Sequence, residues 1–433
     1  MEQQTLGTII LLGGFLLLMF LRVPIAFALG MSSLATIVYL DIPTVVLVHR
    51  MINSLNSFTF LAVPCFILAG HLMGEGGISD RLIRFADVLV GRVRGGLAQA
   101  NIASSSMFGS ISGSAVADVA SIGSVLIKSM SQRGYRPGYS VSVTISSSIQ
   151  SILIPPSQNM IYFSLAAGGI SVESLFLAGY FPALLLGGSL MVLCWILAIK
   201  QGHPKGERYT IKESVKIGLD AGIGLFTVVI IVGGILLGMF TATESAAVAS
   251  IYALLITVFI YRTMTLCKFV SILNMSVKTL AMVIAILMTS SAFAFLLGVL
   301  NVPSALADLI LSLSGNVIIA LLAINLLMLI LGMLMDVGIL VLLLTPILLP
   351  IAVKLGLDPI HFGMIMMVNL GIGLCTPPSG SSLLLGCAIG KVSMGTTLKE
   401  MVPFYIVMLI VLMLVTFVPS ISLYLPNLSS NQL

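Results

Sequence analysis

Apolar stretches of roughly 17 to 25 residues recur from end to end of this chain, each long enough to cross about 30 Å of hydrocarbon as a helix. Residues 6–21, 219–240, 317–335 and 404–418 are examples. Lipid offers no partners for open backbone groups, so such runs are predicted to be helical. With 58% hydrophobic and 8% charged residues, the chain falls far below the roughly one quarter of charged residues of a soluble domain. The expectation is an all-α polytopic membrane protein. No basic residue precedes the first run and no A-x-A site follows it, so it reads as a retained span rather than a signal peptide.

The five cysteines are odd in number and dispersed, which suggests neither a disulfide framework nor a metal site, and the four histidines form no ligand spacing. A net charge of +5 gives no sign of a nucleic-acid partner; in a lipid bilayer, basic residues mostly report orientation. Lys and Arg cluster at 81–94, 128–136, 200–216, 262–278 and 391–399, with Arg22 alone after the first run. One threading puts all of the 20 basic residues except Arg50 and Lys354 on the cytoplasmic face. It starts with a periplasmic N-terminus in a bacterial inner membrane. It requires two re-entrant hairpins, at about 96–127 opening to the cytoplasm and about 317–353 opening outward.

The chain also repeats itself. Gly134-Tyr135-Arg136-Pro137 matches Gly356-Leu357-Asp358-Pro359, Ile154-Pro155-Pro156-Ser157 matches Thr376-Pro377-Pro378-Ser379, and 168–171 matches 390–393, all at one spacing of 222 residues. Asp118-Val119 is paired with Asp336-Val337 by allowing an offset near the hairpins. The threading places the copies in opposite orientations, the inverted-repeat plan of secondary transporters. The first repeat is 1–200, with its Pro-Pro-broken helix at about 139–168. The connector is 201–216. The second repeat is 217–433, with its broken helix at about 360–390. Within the connector, Lys212, Glu213 and Lys216 share a helical face, which favours an interfacial helix. In 80–94, Leu82, Phe85, Val88 and Leu89 form one face of an arm lying along the cytoplasmic surface.

Two regions put non-helical polar sequence at membrane depth. Ser104-Ser105-Ser106 and 108–118 are too rich in serine and glycine for a continuous lipid-facing helix and suit a hairpin tip. Asp118, and Asp336 in the second copy, either ligate a cation or hold a hairpin in shape by accepting backbone N–H bonds. Around each Pro-Pro the helix should unwind. That frees carbonyls, which suit a hard cation such as Na⁺, and exposes helix N-termini, which suit an anionic substrate. The candidate substrate residues are Ser148, Gln150, Pro155, Pro156, Ser157, Asn159, Pro377, Pro378 and Ser379. The candidate Na⁺ ligands are Ser110, Ser112, Gly113, Ser114, Asp118, Asp336, Gly371, Thr376 and Ser379. Glu244 is either a proton or cation group or, the favoured reading, an acid at a Thr-capped helix N-terminus.

The segments SISGSAVADVA at 110–120, IPPS at 154–157, TATESAA at 241–247 and GIGLCTPPS at 371–379 resemble the large membrane subunit of TRAP transporters, the DctM-like permeases. The likeness runs over essentially the whole chain. It implies an elevator-type carrier with a scaffold and a mobile transport domain, Na⁺-driven uptake of an organic acid, a small four-helix membrane subunit and a periplasmic substrate-binding protein. Family cation sites carried over fall at 110–114 with 146–148, and at Gly332, Gly371, Thr376 and Ser379. The polar residues around the first Pro-Pro (Ser146, Ser147, Ser148, Gln150, Gln158, Asn159) depart from the family pattern and suit a sugar acid better than a C4-dicarboxylate. The rival within transport is a stand-alone Na⁺- or H⁺-coupled carboxylate carrier. A membrane enzyme would need a nucleophile–base pair or metal cluster such as H-E-x-x-H, which the sequence lacks.

Overall fold

The computed structural model describes residues 2–206, 209–306, 308 and 316–430, so residues 207 and 208 of the connector lie outside the described set. The described residues are helical, without a β-strand. Eight of their helices are long and apolar enough to cross a membrane. The outer surface carries large exposed apolar side chains such as Phe20, Leu184, Ile211, Leu219 and Leu266, while Ser104, Ser105, Ser142, Ser147 and Ser151 are buried. Lipid supplies the partner for such a surface.

The helices form two groups. Gln3–Phe20, Ile25–Tyr39, Phe58–Glu75, Ile211–Leu236, Ala242–Ile260 and Leu266–Val299 pack mainly on one another as a scaffold. The second group holds both hairpins and both broken helices, with Val172–Gln201 and Met394–Phe417 beside them. The first hairpin is Gly96–Ser112 and Ala115–Gln132; the second is Val317–Gly332 and Val337–Lys354. The first broken helix runs Pro137–Ser147, Gln150–Leu153 and Gln158–Ala166; the second runs Pro359–Leu374 and Ser381–Gly390.

The spacing of 222 holds for these elements. It relates Ala115 to Val337, Gln132 to Lys354, Pro137 to Pro359 and Val172 to Met394 as helix ends. The copies run antiparallel. Gly390 lies against Val141, Gly386 against Ile145, Gly371 against Ile149 and Gly363 against Phe163, so one broken helix ascends as the other descends. Each hairpin's second arm also packs on the final segment of the other repeat's broken helix.

This constant register corrects the pairing of Asp118 with Asp336. Asp336 caps the second hairpin's second arm, its carboxylate accepting from the Gly338 N–H at 2.9 Å. Its counterpart is Ser114, which caps the first hairpin's second arm by accepting from the Ala117 N–H at 3.4 Å. Asp118 lies one turn further in, and no offset is needed.

Three local expectations also change. Ser104 and Ser106 sit inside a continuous helix because their hydroxyls donate to carbonyls four residues back, at 2.6 and 3.0 Å, and the true break is only Gly113 and Ser114. Lys212, Glu213 and Lys216 are not on an interfacial helix. A capping box of Thr210 and Glu213 starts the helix there, and apolar residues carry it directly into the span Ile211–Leu236. The arm helix Ile78–Val90 buries Leu82, Ile83 and Ala86 rather than the face containing Leu89, which is exposed. Its orientation is set by Gly96–Ser112, whose Ala100 and Ala103 pack on Ala86.

The basic clusters meet at one end of the molecule. The backbone at Arg94 pairs antiparallel with that at Lys205, and Arg92 donates to the Tyr209 carbonyl at 3.4 Å. Arg136 pairs with Glu400 at 3.3 Å. The start of the arm is fastened to the scaffold by Arg81, 3.1 Å from Asp220 and stacked over Tyr261. Its end is fastened to the connector by the Tyr209 hydroxyl, which donates to Asp87 at 2.7 Å. His203 of the connector is buried against Tyr135 and Tyr139.

Candidate functional site

Both hairpin tips and the first Pro-Pro break converge on one small cavity of about 120 Å³. Gly113–Val116 line it from the first tip, Asp336–Ile339 from the second, Gln158, Asn159 and Tyr162 from beyond the break, and Thr279, Met282, Val283 and Ile286 from the scaffold helix Leu266–Val299. At about 30 Å³ per water it holds about four waters, enough for an ion or a carboxylate group.

The first tip fits the break tightly. Gly113 has φ 62°, and a methyl group there would lie 2.7 Å from the Gln158 nitrogen, so backbone conformation and space both require glycine. The Asn159 side chain donates to the Gly113 carbonyl at 3.3 Å. The second tip is held in a related way, the Ser379 hydroxyl donating to the Met333 carbonyl at 2.7 Å. A methyl group on Gly373 would lie 2.5 Å from the Gly332 carbonyl carbon. Both prolyl pairs, Pro155-Pro156 and Pro377-Pro378, contain a cis bond.

Three helices begin at the cavity, and they are capped differently. Ala115–Gln132 and Val337–Lys354 carry the Ser114 and Asp336 caps, whereas Gln158–Ala166 has no side-chain cap. Ser381–Gly390, the corresponding segment of the second repeat, is also uncapped. Their N-cap residues, Ser157 and Gly380, make no side-chain bond to the helix, so these two N-termini keep free N–H groups and the positive end of the helix dipole. Among the described residues, no Lys or Arg lines the cavity.

The candidate ligands divide by placement. Gly113, Ser114, Asn159 and Asp336 line the cavity. Ser112 and Ser157 adjoin it at the first tip and break; Ser112 accepts from the Ser114 N–H at 3.5 Å, while the Ser157 hydroxyl is buried without a partner among the described residues. Gly332, Gly371, Thr376, Pro377, Pro378 and Ser379 form the second tip and break, away from the cavity wall. There Thr376 donates to the Ile372 carbonyl at 2.7 Å, and Gly371 lies against Ile149. Pro155 and Pro156 back the first tip without lining the cavity. Ser110 and Ser148 bond to carbonyls three residues back, at 2.6 and 2.8 Å.

Gln150 points into the hairpin. It accepts from Ser106 at 2.5 Å and donates to the Ile102 carbonyl at 3.4 Å. Ser147 joins a buried network in which Asn101 donates to Thr144 at 2.7 Å and Ser105 lies 3.0 Å from Ser147. Asp118 is fully buried beside this network, and neither carboxylate oxygen has a hydrogen-bond partner among the described residues. Of the two roles open to the acidic pair, Asp336 performs the capping one and Asp118 does not. Glu244 forms a capping box with Thr241 on an exposed helix start, the favoured reading of it. Sequence reasoning missed Tyr162 and the scaffold residue Thr279; their signal was weak, since each sits in an apolar run.

The donors around both tips are carbonyls, hydroxyls and carboxylates, and the described residues contain no group of three or more His, Cys, Asp or Glu placed to hold a metal ion. That chemistry fits a hard monovalent or divalent cation rather than a transition metal. Orphaned hydroxyls at both breaks, Ser157 in one and Ser381 and Ser382 in the other, leave acceptors open for such an ion.

Comparison with known proteins adds four findings. The family profile described as "Tripartite ATP-independent periplasmic transporter, DctM component" matches residues 12–421. The C4-dicarboxylate TRAP transporter large permease protein DctM of Pseudomonas aeruginosa is 39% identical over 92% of this chain and 94% of its own length. The sialic acid TRAP transporter large permease protein SiaM of Vibrio cholerae is 38% identical, covering 96% of this chain and 97% of its own length. In fold, the crystal structure of the Alcanivorax borkumensis YdaH transporter superposes with a TM-score of 0.64 over 87% of this chain and 88% of that one, at 13% identity.

Proposed function

The chain belongs to the DctM-component family of tripartite ATP-independent periplasmic transporters, and from that premise we propose that it imports an organic acid anion by Na⁺ symport. It is a transporter subunit rather than an enzyme. On this reading the hairpin-bearing group moves as an elevator against the scaffold, working with a small membrane subunit and a periplasmic binding protein.

The observation that carries the anion is the uncapped N-terminus of Gln158–Ala166 at a cavity lined by no basic side chain among the described residues. A carboxylate there takes the place of the missing cap. Cations at the two tip-to-break junctions offset the substrate's charge, which makes ion and substrate binding mutually dependent. Asp118 is a third candidate group, able to take a cation or a proton in its unpartnered state.

A related C4-dicarboxylate permease and a related sialic acid permease bracket the substrate range. Gln158 and Asn159 are the two residues of the polar group around the first break that face the cavity, and they suit the hydroxyls of a sugar acid. Ser146, Ser147, Ser148 and Gln150 are taken up by bonds inside the protein.

The test is uptake of labelled succinate, hexuronate, aldonate and sialic acid into proteoliposomes holding the chain and its small subunit, with and without the binding protein, under Na⁺ or H⁺ gradients. Uptake that needs both Na⁺ and the binding protein supports the proposal. Uptake by the chain alone makes it a stand-alone carrier, and uptake driven only by H⁺ replaces Na⁺ coupling with proton coupling, for which Asp118 and Asp336 are the candidate groups.

A further inference from the structure

An open-sided apolar groove of about 800 Å³ lies between the first two scaffold helices, Leu266–Val299 and the second hairpin's tip. Leu16, Phe20 and Phe27 wall one side, and Leu334 and Met335 the other. Phe20 is 85% exposed in the chain alone, so its ring has no protein partner on the outer side. Arg22 is the one charged residue among the described residues that line the groove. It sits in a left-handed turn, φ 62°, between Gln3–Phe20 and Ile25–Tyr39.

Three features select the occupant. The lining is apolar along its length, which suits a hydrocarbon chain and not a hydrophilic organic acid. At its end, Arg22 and the N-terminus of Ile25–Tyr39, which no side chain caps, together favour an anion. The depth is right for a headgroup: on Leu266–Val299, Lys278 stands one turn before the groove residue Met282. Arg22 therefore lies where that helix, traced in from its apolar end, first carries a charge.

We propose that this groove holds an anionic phospholipid, with its phosphate on Arg22 and an acyl chain lying between the scaffold and the second hairpin. The lipid fills the gap against which that hairpin packs. Met282, Ile286 and Ile339 line both this groove and the cavity at the hairpin tips, so the acyl chain touches the wall of the candidate site. The basic end of the molecule faces the leaflet in which anionic lipid is concentrated in a cell.

Binding is read without transport, which separates this proposal from the functional one. The purified full chain, stripped of lipid, is titrated with phosphatidylglycerol, phosphatidylcholine or inorganic phosphate and observed by native mass spectrometry. A phosphatidylglycerol with a photoreactive acyl chain maps the contact. We expect at least tenfold preference for phosphatidylglycerol over phosphatidylcholine, labelling of Leu16, Phe20 or Leu334, and loss of the preference in Arg22→Gln but not in Arg84→Gln. Arg22 is exposed, and an unchanged melting midpoint verifies that Arg22→Gln folds. Equal binding of the two lipids, label elsewhere, or an unaltered preference in Arg22→Gln overturns the proposal. So does inorganic phosphate competing as well as lipid, or a small-subunit helix cross-linking into the groove of the assembled complex.

Discussion

Gly373→Ala tests whether the second hairpin's tip is positioned by backbone-to-backbone contact with the broken helix. The added methyl would lie 2.5 Å from the Gly332 carbonyl carbon, 2.6 Å from its Cα and 2.9 Å from its oxygen. Ordinary carbon contacts are about 3.5–4.0 Å, so the hairpin arm must retreat by about 1 Å, and no side chain can rotate out of the way. Overpacking of this kind costs about 1–3 kcal/mol. The same retreat pulls Met333 from Ser379, whose bond is 2.7 Å, and shifts Asp336 at the cavity wall. A penalty of that size on the bound geometry weakens substrate or ion affinity by about 5–150-fold. The assay pairs the melting midpoint in detergent with the concentration dependence of uptake in proteoliposomes. Gly395→Ala is the control, because nothing lies within 4 Å of that position. If Gly373→Ala leaves both midpoint and half-saturation where they were, the hairpin is not held by this contact and the reasoning fails.

Asn159→Ala removes the bond to the Gly113 carbonyl; the expected loss is about 1 kcal/mol of stability with a raised half-saturation for substrate, and an unchanged half-saturation would place the site elsewhere. Asp118→Asn replaces a fully buried carboxyl with a neutral amide of nearly the same shape, so the melting midpoint should hold or rise while the ion dependence of uptake is lost; retained ion dependence removes Asp118 from coupling. Burial, with a smaller contribution from Arg136 and against the pull of Glu400, lowers the His203 pKa below its ordinary value of 6.5. The unfolded chain then binds a proton that the folded chain refuses, so stability is full above pH 6.5 and declines as pH falls below it. Melting midpoints from pH 8 to 5.5 should show that decline in the parent and a flatter profile in His203→Phe; parallel profiles would contradict the assignment.

The helical pairs, the two prolyl breaks and the repeat were legible because each leaves a local mark: apolar length, missing backbone donors, one constant spacing. The pairing of Asp118 with Asp336 failed because it matched chemistry rather than position in a helix. Serine and aspartate both cap, and Ser114 and Asp336 share that job at 222 residues' separation. The fate of Gln150 was illegible for another reason. Its partners, Ser106 and Ile102, lie more than forty residues away on a hairpin arm, and nothing near Gln150 in sequence announces them. The serine triplet was misread because Ser104 and Ser106 bond back to their own helix and Ser105 pairs with Ser147, which composition cannot distinguish from a loop. The buried face of the arm was likewise set by Ala100 and Ala103 of another helix.

The arm helix Ile78–Val90 is held to the scaffold at Arg81 and to the connector at Asp87, about 9 Å apart along its axis, and it lies against Gly96–Ser112 of the first hairpin. It is thereby the element through which the hairpin group and the scaffold are mechanically linked at this end. On the elevator proposal, any travel of the hairpin group against the scaffold loads the Arg81–Asp220 contact, so weakening that contact is expected to change the rate of uptake while the residues lining the binding cavity stay the same.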